Sequence, residues 1–216
     1  MVAGGSGRRF GGPKQFLQLA GQPVAAWSVA AARSVSDGVV LVVPDGGPGV
    51  PGEIPDGASS MGADLVVVGG RSRADSVRAG LAAVPDEAAI IVVHDAARPL
   101  ASPSMFAAVV EAVAADGIDG AIPVLPVADT LKRTSDGTVR STVDRDGLVT
   151  VQTPQAFVAA TLRTAHRAAE EATDDAGLLE RMGATVRTVA GDPRNMKLTH
   201  PEDLEMAEAL MGAAIR

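Results

Sequence analysis

Two runs constrain what this chain can fold into: VVLVV from Val39 to Val43 and AIIVV from Ala89 to Val93. Each is continuous, apolar and largely β-branched, the pattern of a parallel strand buried on both faces. Leu65 to Val68, Gly120 to Val127 and Thr185 to Val189 read as further strands, the second bent or leaving the sheet because it carries two prolines. Between them lie helical stretches: Pro23 to Arg33, with proline in its first turn, Ser76 to Val84, Pro103 to Ala115 capped by Ser102, Ala156 to Ala172, Ala176 to Met182 and Pro201 to Met211. Strands alternating with helices predict an α/β fold with a doubly wound, mainly parallel sheet, and 216 residues suit one domain, 1–216. In such sheets ligands sit beyond the carboxyl ends of the strands.

One segment breaks the pattern. From Thr130 to Thr150 polar and apolar residues alternate around two Asp-Gly pairs, the signature of hairpins. The expectation is an antiparallel arm, 130–150, protruding from the sheet, and an arm of that size normally embraces a second subunit.

Composition narrows the function. A net charge of −7 argues against a nucleic-acid surface, so basic residues act locally. The chain has no cysteine, which excludes disulfides, thiolate nucleophiles and cysteine-bound zinc. No apolar run approaches the roughly 18 residues needed to span a bilayer, and no basic-then-apolar segment opens the chain. A soluble cytoplasmic protein without nucleic-acid or membrane partners is expected.

The opening stretch, Ala3 to Lys14, reads AGGSGRRFGGPK. Its glycines let successive backbone N–H groups approach one anion, and Arg8, Arg9 and Lys14 add positive charge, which suits a polyphosphate. Neither the Walker spacing nor the dinucleotide fingerprint is present, and a solvated glycine-rich turn is the alternative. Only Met1 and Val2 precede this loop, whereas a strand runs about 5 to 6 residues. Either the true start lies upstream or the first strand is a stub, and a stub is expected to support the loop poorly, lowering stability and nucleotide affinity.

Three more stretches lie at strand ends. In HDAARP, His94 to Pro99, Asp95 suits a hard cation such as Mg²⁺ against nucleotide phosphates; capping the next turn and pairing with Arg98 is the alternative. His94 reads as a packed residue, and His166, on a polar helix face, as a solvated one. In GGRSRADS, Gly69 to Ser76, a second glycine loop opens a helix whose N-terminus favours anions, with Asp75 or Ser76 as its cap if it is only a turn. Lys197 follows the last strand.

Together these pieces resemble the methylerythritol phosphate cytidylyltransferases of the non-mevalonate isoprenoid pathway. The matching stretches are AGGSGRR with Pro13-Lys14, GG with RADSV at 73–77, VHDAARP at 93–99, ADTLKR at 128–133, VDRDGL at 143–148, QTPQAF at 152–157, TDDA at 173–176 and KLTHPEDL at 197–204. They run in the family's order from Ala3 to Leu204. The resemblance implies a Rossmann-like nucleotidyltransferase that joins CTP to 2-C-methyl-D-erythritol 4-phosphate with Mg²⁺, by in-line attack and without a covalent enzyme intermediate. It implies that Arg9 and Lys14 stabilise the transition state and that Arg145 and Lys197 hold the attacking phosphate. Ala3, Gly4, Gly5, Gly70, Arg73 and Ser76 would surround the nucleotide, Asp95 would bind the metal with Arg98 nearby, and Thr130 and Thr153 would lie beside the alcohol. It further implies a homodimer in which the arm carries Arg145, Thr130 and Thr153 to the other subunit's site. Gly4 stands where most relatives carry alanine, a mild departure. The rivals are a cytidylyltransferase for another polyol phosphate, such as ribitol 5-phosphate, and a nucleotide-binding relative without activity.

Overall fold

The computed structural model describes residues 1–4, 10, 12–45, 54, 56–168 and 172–214. After a small ladder of β1 (Gln18–Leu19) and β2 (Gln22–Pro23) come α1 (Val24–Arg33), β3 (Val40–Val43), β4 (Leu65–Val68), α2 (Arg73–Ala83), β5 (Ile90–Val93) and α3 (Pro103–Val113). The second half comprises β6 (Gly120–Pro126), β7 (Leu131–Ser135), β8 (Thr138–Val143), β9 (Val149–Val151), β10 (Gln155–Val158), α4 (Ala159–Arg167), α5 (Asp175–Arg181), β11 (Val186–Ala190) and α6 (Glu202–Ala214).

The valine-rich runs become strands as expected: Leu41, Val42 and Val43 of β3 are fully buried, with Ile91 and Val93 of β5 close behind. β3 pairs in parallel with β4, and β11 with β6. The sheet is mixed, however, not mainly parallel throughout. Gln155–Val158, whose residues from Ala156 on are expected from sequence to start a helix, is a strand inserted antiparallel between β5 and β6. It is buried on both sides, and Phe157 is fully enclosed among Val77, Ile91 and Leu162. Two ladders of neighbouring strands outweigh the helical preference of the alanines that follow, and α4 begins only at Ala159.

Residues 1–3 link the two halves of the sheet. Val2 bridges in parallel to both Val42 and Asp95. Its N–H donates to the His94 carbonyl at 2.7 Å, its carbonyl accepts from Ala96 N–H at 3.0 Å, and Ala3 N–H donates to the Val42 carbonyl at 2.7 Å. Each of these bonds lies just before the glycine loop. Further along, the space between β3 and β5 is a cleft of about 730 Å³ whose walls include Val40, Leu81, Ile91 and Phe106.

β7 and β8 form a separate hairpin around the Asp136-Gly137 turn, and β9 returns to pair with β6. An antiparallel hairpin is thus present in this segment, and almost all residues of 130–150 are exposed.

Candidate functional site

The site is assembled at the carboxyl ends of β5 and β4 and in the loop after β11. β5 ends at Val93, so His94 and Asp95 emerge from the buried sheet with little freedom. Asp95 is 8% exposed. Its Oδ2 accepts from Lys197 Nζ at 2.7 Å, and its Oδ1 from Arg73 Nε at 3.4 Å. Burial alone raises the carboxyl's pKa; the Lys197 and Arg73 charges overcome that and hold Asp95 well below the ordinary carboxylate range. Asp95 thus stays ionised between two cations.

The backbone around it is clamped by Thr153. The Thr153 hydroxyl accepts from Asp95 N–H at 3.0 Å and lies 3.0 Å from His94 Nδ1, while His94 Nε2 lies 3.2 Å from the Arg98 carbonyl. These partners assign the neutral Nε2–H tautomer to His94, since Thr153 has a hydroxyl proton to give and the Arg98 carbonyl can only accept. Burial against Phe106 pushes the imidazole down to about 3, so His94 is a packed residue, as its sequence position suggests. Arg98 turns away from Asp95 and donates to the Asn195 carbonyl at 2.8 Å. Asn195 closes the circle by donating to the Thr153 carbonyl at 2.8 Å. Neither Asn195 nor its neighbour Gln152 stands out in the sequence, because an amide becomes informative only when its partners are known.

The second glycine loop sits against this cluster. Ser72, not Asp75 or Ser76, caps α2: its hydroxyl accepts from Asp75 N–H while the Asp75 carboxylate accepts from Ser72 N–H, a complete capping box. Ser76 is buried and donates to the Ser72 carbonyl at 3.0 Å. The glycines are there to let this happen. A Cβ on Gly70 would meet Asp75 Cβ at 2.2 Å, and one on Gly4 would meet Ser76 Oγ at 2.7 Å. Gly4 is therefore packed closely against the Ser76 hydroxyl. From the opening loop, Ala3 is buried beside β3, and Lys14 reaches across to donate to the Leu198 carbonyl, next to Lys197. Gly5 and Arg9 lie outside the described residues.

A family model described as IspD, 2-C-methyl-D-erythritol 4-phosphate cytidylyltransferase, matches residues 1–213. The chain belongs to the IspD family. A Deinococcus radiodurans protein of that name is 46% identical over 215 residues, which cover 97% of this chain and 87% of the relative. The bifunctional IspD/IspF enzyme of Nitratidesulfovibrio vulgaris is also 46% identical, but this chain spans only 56% of its length. The crystal structure of the Thermus thermophilus enzyme superposes with a TM-score of 0.80 at 37% identity, covering 97% of this chain and 96% of that one.

Set against the residues that the IspD resemblance singles out, the structure gathers Ala3, Gly4, Lys14, Gly70, Arg73, Ser76, Asp95, Arg98, Thr153 and Lys197 around the carboxyl ends of β3 to β5. The Thr153 hydroxyl bonds to Asp95 and His94 of its own chain. Arg145 and Thr130 are not brought here; both are exposed, and Arg145 donates to the carbonyls of Val127 and Ala128 at the base of the arm. The expectation of a solvated His166 is corrected. It is 4% exposed, and its Nε2 lies 3.0 Å from Asp175 Oδ1. The signal was available, since Ala159, Leu162 and His166 fall at helical spacing on the inner face of α4.

Proposed function

We propose that this chain transfers the cytidylyl group of CTP to 2-C-methyl-D-erythritol 4-phosphate, releasing pyrophosphate and the CDP-alcohol. The observation that carries this reading is the convergence of Lys14, Arg73 and Lys197 on the carboxyl end of β5, beside Asp95, in a member of the IspD family. A phosphate oxygen of the acceptor attacks the α-phosphorus in line; the bond to the pyrophosphate oxygen breaks as the new one forms. Charge grows on the equatorial and departing oxygens, so catalysis is positioning and electrostatic stabilisation. Lys14, with Arg9, stabilises that charge. Lys197 holds the acceptor phosphate, while Arg73, Ser76 and the backbone at Ala3, Gly4, Gly5 and Gly70 surround the nucleotide. Arg98 fixes the wall behind Asp95 through Asn195.

Mg²⁺ fits the donor set present. It is usually held by one or two carboxylates together with substrate phosphates, and Asp95 is an ionised carboxylate at the strand end. Among the described residues no group of three or more His, Cys, Asp or Glu side chains forms a cage of its own. Asp95 would hold the ion, which supplies charge neutralisation to the triphosphate.

Residues 1–216 act as one nucleotidyltransferase domain with the 130–150 arm as its dimerisation element. The arm exposes Val139, Leu148 and Val149, with Val151 just beyond it, an apolar group suited to a second copy. Arg145 and Thr130 then complete the site of the partner subunit. The protein works in the cytoplasm, where CTP is made; among the described residues no helix is long and apolar enough to cross a membrane.

The test is pyrophosphate release with CTP and Mg²⁺, comparing methylerythritol phosphate, ribitol 5-phosphate and no acceptor. Release with methylerythritol phosphate alone is expected. Release with ribitol 5-phosphate instead moves the protein to another polyol, and silence with every acceptor leaves a binding-only protein.

A further inference from the structure

Among the described residues, the transfer leaves two buried titratable side chains unused, the carboxylate of Asp175 and the imidazole of His166. Asp175 opens α5 and is 1% exposed. Its Oδ1 meets His166 Nε2 at 3.0 Å, and its Oδ2 lies 2.8 Å from Arg73 Nη2. Arg73 in turn reaches Asp95 Oδ1 with Nε at 3.4 Å, and Asp95 Oδ2 accepts from Lys197. The four groups after His166 thus alternate in sign from the interior to the strand ends: Asp175, Arg73, Asp95, Lys197. A carboxylate taken this far out of water is costly unless a partner needs it, and Arg73 is the partner on the side of the site.

We propose that Asp175, itself held by His166, is the positioning residue for Arg73. It grips the Nη2 corner of the guanidinium from behind, so that the planar fork is oriented in the free protein with Nε on Asp95 and its remaining N–H groups available to the nucleotide. The Arg73 side chain is 28% exposed. An arginine ordered before binding loses less conformational freedom when the nucleotide arrives. This rests on the reading of Arg73 and Asp95 as nucleotide-side residues given above.

Asp175→Asn keeps the shape and removes the charge, Arg73→Ala removes the group acted upon, and the pair closes a double-mutant cycle. The KM for CTP is expected to rise on the order of ten- to a hundredfold in Asp175→Asn, as for a misplaced contact, with the KM for the acceptor unchanged. In the Arg73→Ala background the same change is expected to add nothing. His166→Gln, which keeps a donor toward Asp175, should retain more CTP affinity than His166→Ala. A second readout does not need activity: the Arg73 Nε–H resonance should be protected from solvent exchange in the unmodified protein and exposed in Asp175→Asn. Thermal unfolding of each variant separates loss of fold from loss of order. An equally protected Arg73 in Asp175→Asn, or an undiminished effect of Asp175→Asn without Arg73, overturns the positioning role. If the unmodified protein turns over no CTP, the functional reading fails instead, and Arg73 exchange alone decides the positioning.

Discussion

Lys197 Nζ stands 2.7 Å from Asp95 Oδ2 across 102 residues of chain. The pair joins the loop after the last strand to the carboxyl end of β5, and in the proposed reading Lys197 serves the acceptor phosphate while Asp95 serves the nucleotide and its metal. Lys197→Ala is expected to lower kcat/KM by roughly 10²- to 10³-fold, as for one well-aimed donor. Most of the loss should lie on the acceptor side. Steady-state kinetics varying each substrate in turn checks this; a loss confined to CTP would assign Lys197 to the nucleotide.

Lys14 is tied to the same place through the Leu198 carbonyl and lies over the Phe10 ring, 5.8 Å from its centroid. Lys14→Ala should reduce turnover by about 10²- to 10³-fold, with little change in melting temperature. Turnover within threefold of the unmodified enzyme would remove Lys14 from the catalytic set.

The two glycines that face α2 differ in what a methyl group would meet. Gly70→Ala drives Cβ to 2.2 Å from Asp75 Cβ and must break the capping box, whereas Gly4→Ala meets the Ser76 hydroxyl at 2.7 Å, which can rotate away. Losing one such hydrogen bond costs about 1 kcal/mol, so Gly4→Ala should lower the melting temperature by a few degrees. Gly70→Ala should cost clearly more. Denaturant unfolding of both variants checks the order, and a milder Gly70→Ala would show that the loop relaxes freely.

Burial raises the Asp175 carboxyl, but His166 and Arg73 together bring it below its ordinary value of 3.8. A carboxyl with a lower pKa in the folded state stabilises above the unfolded value, and that contribution is lost as pH falls through the folded value. The stability gap between the unmodified protein and Asp175→Asn should therefore be constant from pH 7 to 5 and shrink below about pH 4. Melting curves at pH 7, 5 and 3.5 measure it; a gap that is unchanged at pH 3.5 would mean Asp175 contributes by shape alone.

For the arm, Val139 is 58% exposed and Leu148 43%. If they cover a second copy, Val139→Asp with Leu148→Asp should convert a dimer to a monomer in sedimentation. Activity should fall too, because Arg145 and Thr130 of the partner subunit no longer reach the site. A monomeric unmodified protein at micromolar concentration would sink the shared site.

The sequence alone determined the local backbone and its burial. The β-branched runs at Val39 to Val43 and Ala89 to Val93, Ser102 as a helix cap and the Asp136-Gly137 turn all follow from preferences that act over a few residues, and all are present. It also placed the loops that carry Lys14, Arg73, Asp95 and Lys197, since strand ends can be read from where apolar runs stop. Gln155 to Val158 escaped because its identity rests on ladders to β5 and β6, more than 30 residues away in the chain. The same limit hid Asp175 and His166. A carboxylate and an imidazole nine positions apart look like surface residues until helix packing encloses them together and sets Arg73 against the pair. Local pattern encodes which segments are buried; which charges meet inside is decided by the order of the strands, a property of the whole sheet.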